Sequence, residues 1–297
     1  MSHEHSHHQD KNIGLAFGLN LGFAIFEIFG GLWINSIAVI SDALHDFGDS
    51  LSLGVAWYFN RISSREGDNR FTYGYQRYAL LGAIINMIVL IIGSLVIFSQ
   101  AVPRLLNPQQ PMAEGMFIFA LIGIAVNGFA VYRMKGNHSL TEKAITWHLL
   151  EDVLGWIAVL IVSLVLKFTD WNFLDPLLSI LITGFILFKV IANFRKTMAV
   201  FLQSVPENID NDEVIHHLSN LKKVKSAHHT HIWSLDGEHH VLTTHIIVDR
   251  DTTKSEVQNI KNRIRTLADT YDCEHLTIEI EYECEDCSMG LMNGNVC

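Results

Sequence analysis

Ser41-Asp42-Ala43-Leu44-His45-Asp46-Phe47-Gly48-Asp49-Ser50 lies inside an apolar run from about Ile37 to Phe59. A run of that length spans a bilayer as a helix. Ionisable side chains are costly in hydrocarbon, so Asp42, His45, Asp46 and Asp49 are expected to face protein or a water-filled cavity. At ~100° per residue the four fall within an arc of about 100°, one polar stripe on an otherwise apolar helix. His45 and Asp49 are one turn apart and stack on the same side. A neutral imidazole nitrogen beside a carboxylate oxygen is half of a tetrahedral divalent-metal site.

The other half comes about a hundred residues later. Trp147-His148-Leu149-Leu150-Glu151-Asp152 repeats the His-x-x-x-Asp spacing in a second long apolar run. His45, Asp49, His148 and Asp152 together offer two nitrogens and two oxygens, a zinc-like set by ligand type and number. The competing reading is a polar cluster that only ties helices together. Such contacts normally use Ser, Thr or Asn rather than four ionisable groups.

The 297 residues are 49% hydrophobic with a mean hydropathy of +0.24. That is too apolar for an ordinary soluble protein and too polar for one held wholly in a membrane, so a membrane domain joined to a soluble domain is expected. The net charge of -10 argues against a nucleic-acid partner. The four cysteines all lie between Cys273 and Cys297, which is not a secreted disulfide framework. The N-terminal Met1-Ser2-His3-Glu4-His5-Ser6-His7-His8 has no signal-peptide character and is a short His-rich tract, a cue for metal binding.

Six spans can be drawn: Ile13–Ile34 with Asn20 and Glu27, Ile37–Phe59, Tyr78–Val102 closed by Pro103, Ala113–Tyr132, Ala144–Phe168, and Phe173–Phe194. The domains are then a tail over 1–12, a transmembrane domain over 13–205 and a soluble domain over 206–297. Arg61, Arg65, Arg70 and Arg77 crowd the loop after the second span, and Arg133, Lys135 and Lys143 the loop after the fourth. Arg195 and Lys196 follow the sixth, whereas the opposite loops carry only Arg104 and Lys167. The positive-inside rule therefore puts both termini and the soluble domain in the cytoplasm. Thiolates in that reducing compartment suit metal better than disulfides.

After Pro206, Asn211–Leu221 has amphipathic helical spacing. Val224–Leu235 and His239–Asp249 read as strands joined through Asp236-Gly237, a hairpin signal. Residues 254–271 have helical spacing. Leu276–Glu283 alternates, with Leu276, Ile278, Ile280 and Tyr282 inward and Thr277, Glu279, Glu281 and Glu283 outward. The fold class is thus an α-helical membrane protein with six transmembrane helices and a cytoplasmic αββαβ domain, a ferredoxin- or metallochaperone-like sheet covered on one face by helices.

On these elements the chain resembles the cation diffusion facilitator family, closest to its zinc-transporter and cobalt-zinc-cadmium resistance branch. The resemblance covers nearly the whole chain. It is carried by Ser41–Asp49, Arg70-Phe71-Thr72-Tyr73-Gly74-Tyr75, His148–Asp152 and His231-Ile232-Trp233-Ser234-Leu235. It implies a homodimeric metal-for-proton exchanger whose transport site uses the positions of His45, Asp49, His148 and Asp152. It also implies cytoplasmic zinc at His228, His245 and Glu281. A further zinc would sit at Cys284 and Cys287 with a histidine segment, here His5, His7 and His8, reached from the partner subunit. Some members bind metal in the loop after the second span through an Asp and histidines; here that loop has Asp68 and no His. His231 and Trp233 read as packing residues.

Two imidazoles shift preference from Mn2+ and Mg2+ toward Zn2+, with Cd2+ also carried. Zinc is then both the transported substrate and a structural or regulatory ion of the soluble domain. Binding requires neutral histidines and ionised aspartates, so protons and metal compete for one pocket. Glu27, Asp42, Asp46 and Glu151 either orient the imidazoles, line the path or satisfy helix polar groups. The expected partners are a second copy of the chain, membrane lipid, divalent ions and protons, in a bacterial inner membrane. A membrane sensor that binds zinc without moving it is the alternative. An intramembrane metalloenzyme is disfavoured, because four protein ligands leave no open coordination position and no His-Glu-x-x-His is present.

Overall fold

The structure, a computed structural model, describes residues 21–134, 140–283 and 285. The chain divides into two compact units, one of residues up to 61 with Gly82–Phe194 and one of Ile62–Leu81 with residues from 195 onward.

The first unit is helical: α1 (Leu21–Trp33), α2 (Ile37–Ser63), α3 (Arg77–Leu106), α4 (Ala113–Met134), α5 (Leu140–Phe168) and α6 (Leu174–Phe201). Four of them, α3 to α6, are long and apolar enough over their described residues to cross a membrane. The 27 residues of α2 carry the polar stripe, and Leu21–Trp33 is the described apolar part of the first expected span. Pro103 does not close α3 as the sequence suggests; it sits inside the helix, and the Asn107 amide bonds to the Pro103 carbonyl at 2.9 Å. A proline near a helix end removes one donor without ending the remaining turn.

Two apolar clusters hold these helices together. Ala38 and Val39 of α2 pack with Met116, Phe119 and Ala120 of α4 and Trp156 and Val159 of α5. Ile37 of α2 packs with Ile97 and Ala101 of α3, against which Ile180 of α6 also lies. Gly123 on α4 leaves the space that the fully buried Trp156 indole fills; a Cβ there would collide with the ring.

The start of α2 has its orphan amides satisfied from far away in sequence. Asp175, buried in the first turn of α6, accepts hydrogen bonds from the amides of Ile37 (2.8 Å) and Ala38 (3.3 Å) and from the Ser36 hydroxyl (2.5 Å). It meets the need of unpaired first-turn N–H groups and complements the positive end of the helix dipole. One turn further on, Ser41 and Thr183 pair their hydroxyls at 2.5 Å.

The second unit holds α7 (Asn211–Ser219), β1 (Val224–Ser234), β2 (His240–Val248), α8 (Lys254–Asp269) and β3 (Cys273–Tyr282), the expected αββαβ order. The sheet order is β1-β2-β3, with β1 antiparallel and β3 parallel to β2. The parallel pair follows from the α8 crossover, since a direct turn cannot return a strand in the same direction. Leu242, Ile246 and Val248 of β2 meet Val214 and Leu218 of α7 and Ile260 and Ile264 of α8 in one core. α8 begins with a reciprocal capping box between Thr253 and Glu256. The loop over residues 64–76 is organised by Asp68, whose carboxylate accepts the Arg70 and Phe71 amides and the Tyr75 hydroxyl, each at 2.7 Å. Tyr73 stands edge-on to His275 with ring centroids 4.9 Å apart.

Two expectations are corrected here. Glu281, expected on the outward face of β3, is 4% exposed because imidazoles cover that side of the sheet at this point. His231, expected to pack, is exposed at the start of the regular register that follows a bulge between His228 and His231.

The β1–β2 turn carries a pH-dependent pair. His239 Nδ1 lies 2.6 Å from Asp236 Oδ2, and this hydrogen bond raises the imidazole above its ordinary range. Burial works to raise the Asp236 carboxyl, but the His239 and Glu238 amides (2.8 and 2.9 Å) outweigh it and hold it low. The raised His stabilises fully below its unfolded value of about 6.5 and ceases to as pH rises through the folded one; the lowered Asp stabilises fully above about 3.9 and ceases to as pH falls through its folded one. The turn is therefore tightest between about pH 4 and 6.5. Hydrogen exchange of peptides spanning 234–241 in the full chain should speed up from pH 6 to pH 9 beyond the intrinsic base-catalysed increase. His239→Gln should remove that excess; an excess that survives the substitution would remove the pair as its source.

Candidate metal centres

α2 places His45 one turn before Asp49, and packing against α5 brings in Asp152. His45 Nε2 lies 3.7 Å from Asp49 Oδ2 and 3.9 Å from Asp152 Oδ1. The side chains are 20%, 26% and 9% exposed, so the group sits in protein with one side open. Ligand atoms about 2.0–2.2 Å from a tetrahedral zinc lie about 3.3–3.5 Å apart, so shifts of a few tenths of an ångström would close this set around an ion. His148 is one turn before Asp152 on α5, and its side chain lies outside the described residues.

The three residues line a cavity of about 520 Å³ together with Ser52, Asn86, Glu151 and Lys189. Asn86 donates to the Ser52 hydroxyl, joining α3 to α2 at the cavity wall. Glu151 meets a different partner from those considered for it: Lys189 Nζ lies 2.6 and 2.5 Å from its two oxygens and 4.5 Å from the centre of the Phe185 ring. Sequence reasoning passed over Lys189. Its signal was plain, since a lone lysine in the middle of an apolar span needs a named partner.

In the second unit, His228 on β1 faces His245 on β2 directly across the ladder, and Glu281 reaches both from β3. His245 Nδ1 is 2.7 Å from Glu281 Oε1, and His228 Nε2 is 3.2 Å from Glu281 Oε2. One ligand atom from each of the three falls within 4.8 Å of the others. Burial holds the His228 imidazole below its ordinary range, which keeps it in the neutral form a metal requires. His229 joins this group without having been singled out in the sequence: it sits in the bulge with φ +46°, its ring 5.3 Å from those of both His228 and His245. Cys273 belongs to the apolar core, and burial pushes its thiol up to about 11, so it is a packing residue. Cys284, Cys287, His5, His7 and His8 lie outside the described residues.

A helical unit with a His/Asp cavity among apolar helices, joined in one chain to an α+β unit with a His/Glu cluster, defines a membrane protein built around divalent metal. Residues 13–202 match the cation efflux transmembrane domain and residues 206–283 the cytoplasmic domain of cation efflux proteins. The chain belongs to the cation diffusion facilitator family, a family of transporters, and is an integral membrane protein. It is similar to the cadmium, cobalt and zinc/H(+)-K(+) antiporter of Bacillus subtilis (strain 168), 30% identical over 95% of this chain and 93% of the relative. The metal cation efflux system protein CzcD of Cupriavidus metallidurans is 30% identical over 94% of this chain and 89% of its own length. The zinc transporter ZitB of Escherichia coli (strain K12) is 29% identical over 95% and 93%.

Proposed function

We propose that this protein exports Zn2+, and also Cd2+, from the cytoplasm in exchange for protons, by alternating access as a homodimer in a bacterial inner membrane with both termini cytoplasmic. The observation that carries the reading is the meeting of His45, Asp49 and Asp152, from two helices, at one cavity. With His148 they form the transport site. The nitrogen and carboxylate donors favour zinc over harder ions, and the same atoms bind protons, so occupancy by one excludes the other. The relatives' names, which include cadmium, cobalt and zinc, point the same way.

His228, His245 and Glu281 hold a second zinc in the soluble domain. Cys284 and Cys287 hold a third with His5, His7 and His8, so that the amino-terminal tail clips to that domain; this zinc regulates or feeds transport. Purified protein reconstituted in vesicles with a zinc-sensitive dye inside tests the main reading: inward-facing acid should drive zinc accumulation. Zinc bound stoichiometrically without flux would leave a sensor instead. The clip has its own measurement. Deleting residues 2–8, or changing Cys284 and Cys287 to Ser, should lower bound zinc by about one per subunit and slow transport without abolishing it. Equal metal counts by mass spectrometry in wild type and both variants would eliminate the clip.

A further inference from the structure

Three carboxylates meet in the helical unit beside the transport cavity. Glu27 comes from α1, and Asp42 and Asp46 lie one turn apart on α2. One oxygen of each lies within 4.8 Å of the other two. Glu27 is 0% exposed and Asp42 is 5% exposed. Among the described residues, no group outside this trio donates a hydrogen bond to either Glu27 oxygen or to Asp42 Oδ2. A glutamate with both oxygens buried and no outside donor on either is a costly arrangement, and two more acids converging on it make it costlier. Lys189, the cation of the neighbouring cavity, is engaged by Glu151.

Metal–oxygen bonds of about 2.0–2.6 Å put ligand oxygens about 3–4 Å apart, so three oxygens within 4.8 Å of one another need draw in by at most about 1–2 Å to share one ion. The donor set has no nitrogen or sulfur, which suits a hard divalent cation better than the His/Asp set does. Asp42 also lines the cavity that holds His45, Asp49 and Asp152.

We propose that Glu27, Asp42 and Asp46 form a second, all-oxygen divalent-cation site in the membrane unit. Its position beside the cavity makes it a waiting place for the ion that moves through His45, Asp49 and Asp152; that last role rests on the transport reading, whereas the binding site does not.

The probe is Mn2+, which favours oxygen ligands and is paramagnetic. Full-length protein in detergent is first given enough Zn2+ to fill its nitrogen- and sulfur-containing sites. It is then titrated with Mn2+ and followed by electron paramagnetic resonance. The expected result is one bound Mn2+ per chain with no nitrogen hyperfine coupling. Glu27→Gln and, separately, Asp42→Asn should each weaken that binding by about 10- to 100-fold or more. The proposal is overturned if no Mn2+ binds, if the bound ion shows nitrogen coupling, or if its affinity is unchanged in both variants. In the first and last cases the three carboxyls are held together by protons. His45→Ala separates the two readings. Oxygen-only Mn2+ binding should persist in that variant, while loss or retention of zinc flux in it judges the transport site alone.

Discussion

Asp152→Ala is expected to abolish zinc flux in reconstituted vesicles, and Asp49→Ala to do the same, while both variants insert and purify at wild-type levels. Asp152 is 9% exposed and 3.9 Å from His45, and Asp49 is 3.7 Å from the same nitrogen. On the proposed transport site, each substitution deletes one ligand of four and leaves no group of the same charge in its place. Loss of a residue that merely orients a ligand already costs about 10- to 100-fold in affinity, so removal of a ligand itself should exceed about 100-fold in flux at limiting zinc. The removed carboxylate is also one of the groups that must lose a proton to admit metal, so coupling to the proton gradient fails with binding. Wild-type rates in both variants would show that ions pass elsewhere.

Asp175→Leu should have the largest effect on folding. The substitution strands two amides of α2 and the Ser36 hydroxyl, all buried, and deletes the negative charge at the positive end of that helix. Breaking a buried charged network of this kind costs about 3–5 kcal/mol. Asp175→Asn, whose amide oxygen still accepts, should lose less. Thermal unfolding of the detergent-solubilised protein, followed by intrinsic fluorescence, orders the variants. A leucine variant as stable as wild type would mean that water or a neighbouring group satisfies the start of α2.

How much each feature shows in the sequence follows from distance along the chain. His45, Asp49, His148 and Asp152 stand out as candidates because each pair repeats at one helical turn and because charge in an apolar run needs a reason, and the structure brings His45, Asp49 and Asp152 to one cavity. The hairpin was legible from Asp236-Gly237 between alternating runs, and the core face of β3 from its period of two. Asp175 was not, because a cap delivered across 138 residues leaves no local signature at either end. Period two assigned Glu281 to solvent correctly as a face but wrongly as an environment. Alternation tells which side of the sheet a residue takes, not what stands on that side, and here His228 and His245 stand there. Lys189 is a mixed case: a lysine in an apolar span shows that a partner is needed, but that the partner is Glu151, 38 residues earlier and on another helix, shows only in the structure.

The fastening of α2 by Asp175 also sets a lever. The Ile37 end is the fulcrum, held by a charged group at two amides, whereas the hydroxyl pair at Ser41 is a light tie. At 1.5 Å rise per residue, His45 lies about 12 Å along the arm and Phe59 about 33 Å. A tilt of about 10° about the fulcrum would then displace the metal-facing imidazole by about 2 Å and the far end of the helix by about 6 Å. A swing of that size would carry His45 by about the length of a metal–ligand bond, enough to break its hold on an ion, and α3 would have to follow it, because Asn86 ties that helix to Ser52 of α2.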